Sequence, residues 1–162
     1  MMIRLAEKRD MDAILAVYES ARAFMRDNGN PGQWGDSHPP AGLLEGDIES
    51  GQLYVVTENG KICGVFAFII GHEPTYGHIE GGAWKNDEPY GTVHRIASDG
   101  SVRGVFEQCL RFCSGLIGNI RIDTHADNKI MAHLIEKNGF EKCGTVYMED
   151  GNPRTAYSIY CD

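Results

Sequence analysis

The spacing of apolar residues divides the first third of the chain into a strand and two helices. Residues 3 to 6 form a short apolar run typical of a strand, and Asp10 can cap the helix that follows. A loop rich in Gly and Pro separates this helix from a second, short one at about 43 to 48. The apolar positions that recur at helical spacing in the first helix are Met11, Ile14, Leu15, Tyr18, Ala21 and Met25.

The pattern then changes to that of strands. Residues 53 to 57 and 62 to 70 are rich in β-branched and aromatic side chains, and a hairpin turn signal centred on Asn59 lies between them. The next segment, from 71 to 90, combines many breakers with three large aromatic residues. It is typical of a long, ordered excursion, a kind of segment that often carries function.

Strands and helices alternate in the last part of the chain. A strand is predicted at 92 to 98, an apolar helical stripe at 102 to 113, a strand at 120 to 124 and a short helix at 130 to 135. Two closing strands flank a turn at 150 to 153. The predicted order is βααβββαβαββ, which indicates a mixed sheet covered by helices on both faces.

Length and composition indicate one globular domain over residues 1 to 162. Apolar residues make up 42% of the chain and charged residues 23%, so hydrophobic burial can offset chain entropy. The formal charge of -8, without a basic stripe, argues against nucleic acid and anionic membranes as partners. If the substrate is charged, a cation is favoured.

The cysteines and the N-terminus indicate a cytoplasmic protein. The five cysteines form no C-x-x-C pair and leave an odd one over, which argues against a disulfide framework and a zinc cluster. No run approaches the roughly 20 apolar residues that span a bilayer, and charge comes too early for a secretory signal.

The junction between the strand at 92 to 98 and the following helix has features of an anion site. Gly100 and Gly104 let a backbone approach a ligand closely, and amides that open a helix favour a pyrophosphate. Arg103 adds a cation, whereas Asp99 places a negative charge beside the same site. The alternative interpretation is that Gly100 and its neighbour simply cap a core helix.

Two segments carry motifs with a specific spacing. In the junction, Ser101, Gly104 and Phe106 stand in a loop pattern of Arg or Gln, two residues, Gly, one residue, then Gly or Ala; only Gly104 matches. Further on, Asn128 leads a helix into a Glu-Lys-Asn-Gly-Phe segment at 136 to 140. With the order of elements, these motifs resemble the GNAT superfamily of N-acetyltransferases. The residues that suggest a bacterial subgroup of it are Ile122-Asp123-Thr124-His125 and His94-Arg95.

This resemblance implies the acyl-CoA N-acyltransferase fold, with acetyl-coenzyme A as cosubstrate. It implies that a backbone N–H of the fourth strand, here that of Ile96, polarises the thioester carbonyl. The residues that it places at coenzyme A are Ile96, Ser98, Ser101, Val102, Arg103, Gly104, Val105, Phe106 and Asn128. Asn128 can also be interpreted as a plain helix cap.

The reaction also needs a base and an acid. His94 is the candidate base, because side chains alternate along a strand and place it on one face with Ile96 and Thr92, and because a free imidazole titrates near neutral pH. A hydrogen-bonded structural histidine is the alternative. Family members often use a Tyr as acid just before the Glu-Lys pair, where this chain has Ile135. The substitutes are Tyr147, Tyr157, His133 or solvent, and Tyr147 stands as the candidate.

Other residues allow a functional and a structural interpretation. Asp123, His125 and Asp127 alternate like metal ligands, but a strand end that leads into a helix cap explains them better, so no metal is predicted. The aromatic residues that could line an acceptor pocket or simply pack their loops are Trp34, Trp84 and Tyr90. Cys109 and Cys113 are predicted to be core residues.

Together these features predict an enzyme that transfers an acetyl group from acetyl-coenzyme A to a primary amine of a small molecule or peptide. The alternative is a sensor of the same fold that binds coenzyme A or another small ligand without turnover. The acceptor is expected to be a small-molecule amine, and a homodimer is left open by the sequence.

Overall fold

The computed structural model describes residues 1–161 as a mixed sheet of seven strands with four α-helices. The strands are β1 Met2–Leu5, β2 Leu53–Glu58, β3 Lys61–Ile70, β4 Gly91–Ser98, β5 Asn119–Thr124, β6 Glu141–Tyr147 and β7 Pro153–Tyr160. The helices are α1 Met11–Asp27, α2 Ala41–Glu49, α3 Val105–Ser114 and α4 Lys129–Lys137. The order of strands and α-helices predicted from the sequence is therefore confirmed.

The strands lie in the order β1-β2-β3-β4-β5-β7-β6. β4 and β5 are parallel, whereas the pairs β1–β2, β2–β3, β5–β7 and β6–β7 are antiparallel. The sheet is thus mixed, as predicted. Within the part of the chain that is described, no helix is both long and apolar enough to cross a membrane.

Contacts divide the chain into two compact units. The first comprises Met1–Phe68 and Val93–Phe112, and the second comprises Ile69–Thr92 and the residues from Cys113 onward. The single domain expected from the sequence remains a prediction. We describe each unit by itself.

In the first unit, successive residues of β3 face opposite sides of the sheet, and a helix packs on each side. Val65 and Ala67 join the buried cluster formed with Ile14 of α1 and Leu44 of α2. Phe66 points the other way, and its ring lies 6.3 Å from that of Phe112 in α3. Next to it on this face, a Cβ at Gly64 would meet Val105 Cγ1 of α3 at 2.7 Å, so α3 packs directly on the backbone of β3. Helices on both faces of β3 follow from this alternation.

In the second unit, the excursion from 71 to 90 packs onto β5 through a buried cation. The guanidinium of Arg121 lies 4.2 Å from the ring centre of Trp84 and 3.9 Å from that of Tyr90. The Trp84 indole N–H donates to the Tyr76 carbonyl at 2.9 Å.

The third candidate aromatic residue, Trp34, lies in the first unit. It packs edge-on against Tyr18, with ring centres 5.6 Å apart. The contacts of all three candidate aromatic residues agree with loop packing.

Candidate active site

Strand β4 contains a bulge at Arg95. Arg95 has φ of 54°, a left-handed conformation that non-glycine residues adopt rarely. The Asp99 amide donates to Cys63 O and the Gly71 amide to Tyr90 O, each at 3.0 Å. Between these bonds β3 advances eight residues and β4 nine, so β4 holds one extra residue. A bulge of this kind leaves backbone groups of the bulged strand outside the regular ladder.

Two side chains of the first unit hold this bulge in place. The Tyr18 hydroxyl of α1 donates to the Arg95 carbonyl at 2.7 Å. The Arg95 guanidinium donates through Nε and Nη2 to Asp47 Oδ2 of α2, at 3.1 and 2.7 Å. Tyr18 and Asp47 are both buried. The unusual backbone of Arg95 is thus fixed at its main chain and at its side chain.

The bulge changes the argument that selected His94. That argument assumed a regular strand in which His94 and Ile96 share one face, but the positive φ of Arg95 interrupts the alternation between them. His94 and Ile96 are both half-buried. The bulge therefore supports a role for the Ile96 amide, which directly follows it. His94 remains a candidate base only because of its residue type. The ladder between β4 and β5 pairs Gly91 with Ile120 and Thr92 with Arg121.

The loop after β4 turns on its own side chains. The Ser101 amide and hydroxyl both donate to Asp99 Oδ1, at 2.9 and 2.6 Å, and the Gly100 amide donates to Ser98 Oγ at 3.1 Å. Helix α3 begins at Val105, so the prediction of a start near Val102 is wrong. The cause is the φ of 88° at Gly104, which a right-handed helix cannot include.

The remaining amides of this loop fit an anion. Among residues 1–161, no hydrogen bond is found for the amides of Val102, Arg103 and Gly104. The Arg103 side chain is exposed beside them. The left-handed φ values of Gly100 and Gly104 bend the chain so that successive amides can face one ligand. Three free amides and a cation match the needs of a pyrophosphate.

The side chains of Val105 and Phe106 turn into the protein. Both residues are 5% exposed. Phe106, which replaces a small residue of the loop pattern, therefore does not cover the loop. Any contact of these two residues with a cofactor would involve the backbone at the start of α3.

Asn128 caps α4 as the structural interpretation expected. Its side-chain oxygen accepts a hydrogen bond from the Met131 amide at 3.1 Å. Its contact with the pantetheine arm stays a prediction. Ile135, which stands where many family members have a Tyr, is fully buried.

Tyr147 is exposed and bound to a carboxylate. Its hydroxyl donates to Glu80 Oε2 at 2.8 Å, and the other oxygen of Glu80 lies 3.2 Å from His78 Nε2. This hydrogen bond raises the pKa of Tyr147 and lowers that of Glu80. Tyr147 therefore keeps its proton at neutral pH, but it is a weaker proton donor than a phenol without this carboxylate partner. Of the other candidates, Tyr157 is buried and His133 is exposed.

A half-buried acid, Asp123, was not singled out by the sequence as a proton-binding group. The Tyr76 hydroxyl donates to Asp123 Oδ2 at 2.6 Å, and burial raises the pKa of Asp123. Tyr76 is 2% exposed.

The three residues that alternate like metal ligands have separate partners. Asp123 binds Tyr76, whereas His125 accepts a hydrogen bond from the Asp127 amide at Nδ1. Residues 1–161 contain no group of His, Cys, Asp or Glu side chains that could hold a metal ion. Cys109 and Cys113 are core residues, as predicted.

The sequence also provided no indication of the contacts among three residues at the bulge: Tyr18, Asp47 and Arg95. Tyr18 stands in the apolar stripe of α1, where its hydroxyl gives no signal, and Asp47 resembles an ordinary helix residue. Only their contacts in the folded chain reveal what they hold.

Comparison with known proteins decides the family. An acetyltransferase of the GNAT family from Streptococcus agalactiae 2603 is 34% identical to this chain, with a TM-score of 0.87, and the match covers 99% of this chain and 95% of the other. This chain belongs to the GNAT family of acetyltransferases. Acetyl transfer and the general use of an acyl-CoA follow from that membership.

More distant acetyltransferase structures share the fold. A GNAT acetyltransferase from Listeria monocytogenes 4b F2365 is 19% identical, with a TM-score of 0.72 over 98% of this chain and 94% of the other. An N-acetyltransferase from Staphylococcus aureus Mu50 is 20% identical, with a TM-score of 0.62 over 98% and 97%. No family model and no curated protein matches the sequence.

Proposed function

We propose that this GNAT protein transfers an acetyl group from acetyl-coenzyme A to a primary amine of a small molecule or peptide. The observation that carries the proposal is the bulge of β4 at Arg95, together with the loop after β4 that has three free amides. The bulge supports a role in polarising the thioester, and the loop supports a role in binding the diphosphate.

The coenzyme would be held mainly by backbone. The amides of Val102, Arg103 and Gly104 would bind the diphosphate, with the Arg103 side chain as counter-ion. Ser98 and Ser101 would support the loop, since both hydroxyls already bond within it. Val105, Phe106 and Asn128 would complete the site.

The chemistry assigns one task to each remaining candidate. The Ile96 amide would donate to the thioester oxygen as negative charge develops on it. His94 would remove a proton from the ammonium or from the attacking amine. Tyr147 would return a proton to the leaving thiolate from its hydroxyl, which is exposed and hydrogen-bonded to Glu80. In the direct transfer that we propose, the new amide bond forms as the thioester bond breaks.

A sensor that binds coenzyme A without turnover is the second candidate. One observation favours it: buried Ile135 stands where many family members have the tyrosine acid. A sensor needs binding alone, so the loss of an acid would cost it nothing. Cytoplasmic location and a homodimer stay predictions.

The test is incubation of acetyl-coenzyme A with a panel of amines: a diamine, an amino sugar, free amino acids and short peptides. An enzyme releases free thiol in step with acetylated amine, measured by a thiol reagent and by mass spectrometry. Thermal stabilisation by acetyl-coenzyme A with no thiol release for any amine would favour the sensor.

A further inference from the structure

The peptide group that joins Arg95 to Ile96 has a partner to which the proposed reaction assigns no task. The Tyr18 hydroxyl lies 2.7 Å from the Arg95 carbonyl oxygen, and Tyr18 is 0% exposed. Burial raises the pKa of the Tyr18 phenol, so the hydroxyl stays a hydrogen-bond donor at neutral pH. A buried hydroxyl that bonds to one backbone carbonyl fixes the position of that carbonyl.

This carbonyl and the Ile96 N–H belong to the same peptide group. Because a trans peptide is planar, its C=O and N–H point in opposite directions. A donor that fixes the Arg95 oxygen therefore also fixes the direction of the Ile96 N–H. It also polarises the peptide, which makes that N–H a stronger donor.

The peptide needs this support because it follows a residue in a left-handed conformation. Asp47 binds the Arg95 guanidinium, which anchors the side chain without a contact to the following peptide. The Tyr18 hydroxyl bonds to that peptide directly, at its carbonyl oxygen, and so restrains its plane.

We propose that Tyr18 is a positioning residue for acetyl transfer, and that it aims the Ile96 amide at the thioester oxygen. The inference rests on the proposed function, in which Ile96 is the oxyanion donor. Tyr18 acts from the core of the first unit, through the peptide group, without contact with the substrate.

The test replaces Tyr18 by Phe, which removes the hydroxyl and keeps the ring. The stretching frequency of an isotope-labelled acetyl carbonyl reports how strongly the bound thioester is polarised. We expect this frequency to lie closer to that of free acetyl-coenzyme A in Tyr18→Phe than in the wild type. We expect kcat to fall about tenfold while KM for acetyl-coenzyme A is unchanged.

Two further variants separate this role from a loss of stability. Tyr54→Phe, at a tyrosine of β2 that stacks on Phe66, is the matched control and should keep the wild-type frequency and kcat. A 3-fluorotyrosine at position 18 keeps the hydrogen bond with a more acidic phenol. It should fold even if Tyr18→Phe does not, and it should shift the carbonyl frequency further from the free value.

The possible failures can be told apart. A wild-type frequency and kcat in Tyr18→Phe, or no change with fluorotyrosine, would leave Tyr18 with a structural role only. A thioester that binds the wild type without any shift would overturn the oxyanion role of Ile96 and this inference with it. If acetyl-coenzyme A does not bind at all, the proposed function itself fails.

Discussion

The guanidinium of Arg95 lies 2.7 Å from the carboxylate of Asp47 and ties the bulge of β4 to helix α2. The side chain of Asp47 is 4% exposed and that of Arg95 is 15% exposed. Gln52 also donates to Asp47, at 3.0 Å, so the carboxylate has partners at both oxygens. An ion pair this well buried is costly to break from one side.

Removal of the carboxylate alone should destabilise the protein strongly. In Asp47→Ala the Arg95 cation stays buried without its partner, so we expect the free energy of unfolding to fall by about 3 kcal/mol. Urea unfolding followed by circular dichroism measures this. The double variant Asp47→Ala with Arg95→Ala should recover part of the loss, and a loss unchanged in the double variant would show that the pair is not responsible.

His94→Ala should slow turnover more than it weakens cofactor binding. If His94 is the base, its loss should lower kcat about a hundredfold and leave the dissociation constant for acetyl-coenzyme A nearly unchanged. The activity that remains should rise further with pH, because deprotonation of the amine would then depend on solvent. His72→Ala, at an exposed histidine of the 71 to 90 excursion, is the control. Normal turnover in His94→Ala would remove that residue from the mechanism.

Asp123 should make the stability of the protein depend on pH. Burial raises its pKa in the folded state, with the Tyr76 hydroxyl and the charge of Arg154 opposing and Glu73 adding to the rise. The folded protein therefore binds a proton more tightly than the unfolded chain does. The contribution of Asp123 to the free energy of unfolding is therefore fully present below its unfolded pKa of about 3.9. It is lost as the pH rises through the higher pKa of the folded state.

Asp123→Asn should therefore be more stable than the wild type at pH 7, with a gap that closes toward acidic pH. The amide oxygen still accepts from Tyr76, and no charge is buried. Urea unfolding across this pH range tests the prediction, and a variant less stable than wild type at pH 7 would contradict it.

The order of elements could be read from apolar periodicity, but the functional backbone could not. Arg95 stands among residues typical of a strand, and nothing in its type predicts a left-handed φ. Two tertiary contacts hold that conformation, with Tyr18 and Asp47, which lie 77 and 48 residues away in sequence.

The helix start shows the same limit on a smaller scale. Val102 continues the apolar stripe of α3, so periodicity alone extends the helix back to it. The left-handed Gly104 interrupts the helix and leaves three amides outside it. A glycine gives a warning of such a break, but it does not say which of two glycines, Gly100 or Gly104, precedes the first helical turn.

The free amides before α3 carry the central claim, and calorimetric titration with acetyl-coenzyme A tests it most directly. We expect heat of binding with the wild type and none with Gly104→Glu, whose carboxylate would stand against the diphosphate. Gly104→Ala, which carries the same backbone strain of about 1 kcal/mol without the charge, should still bind. Equal binding by Gly104→Glu and the wild type, or no heat with the wild type, would contradict the account.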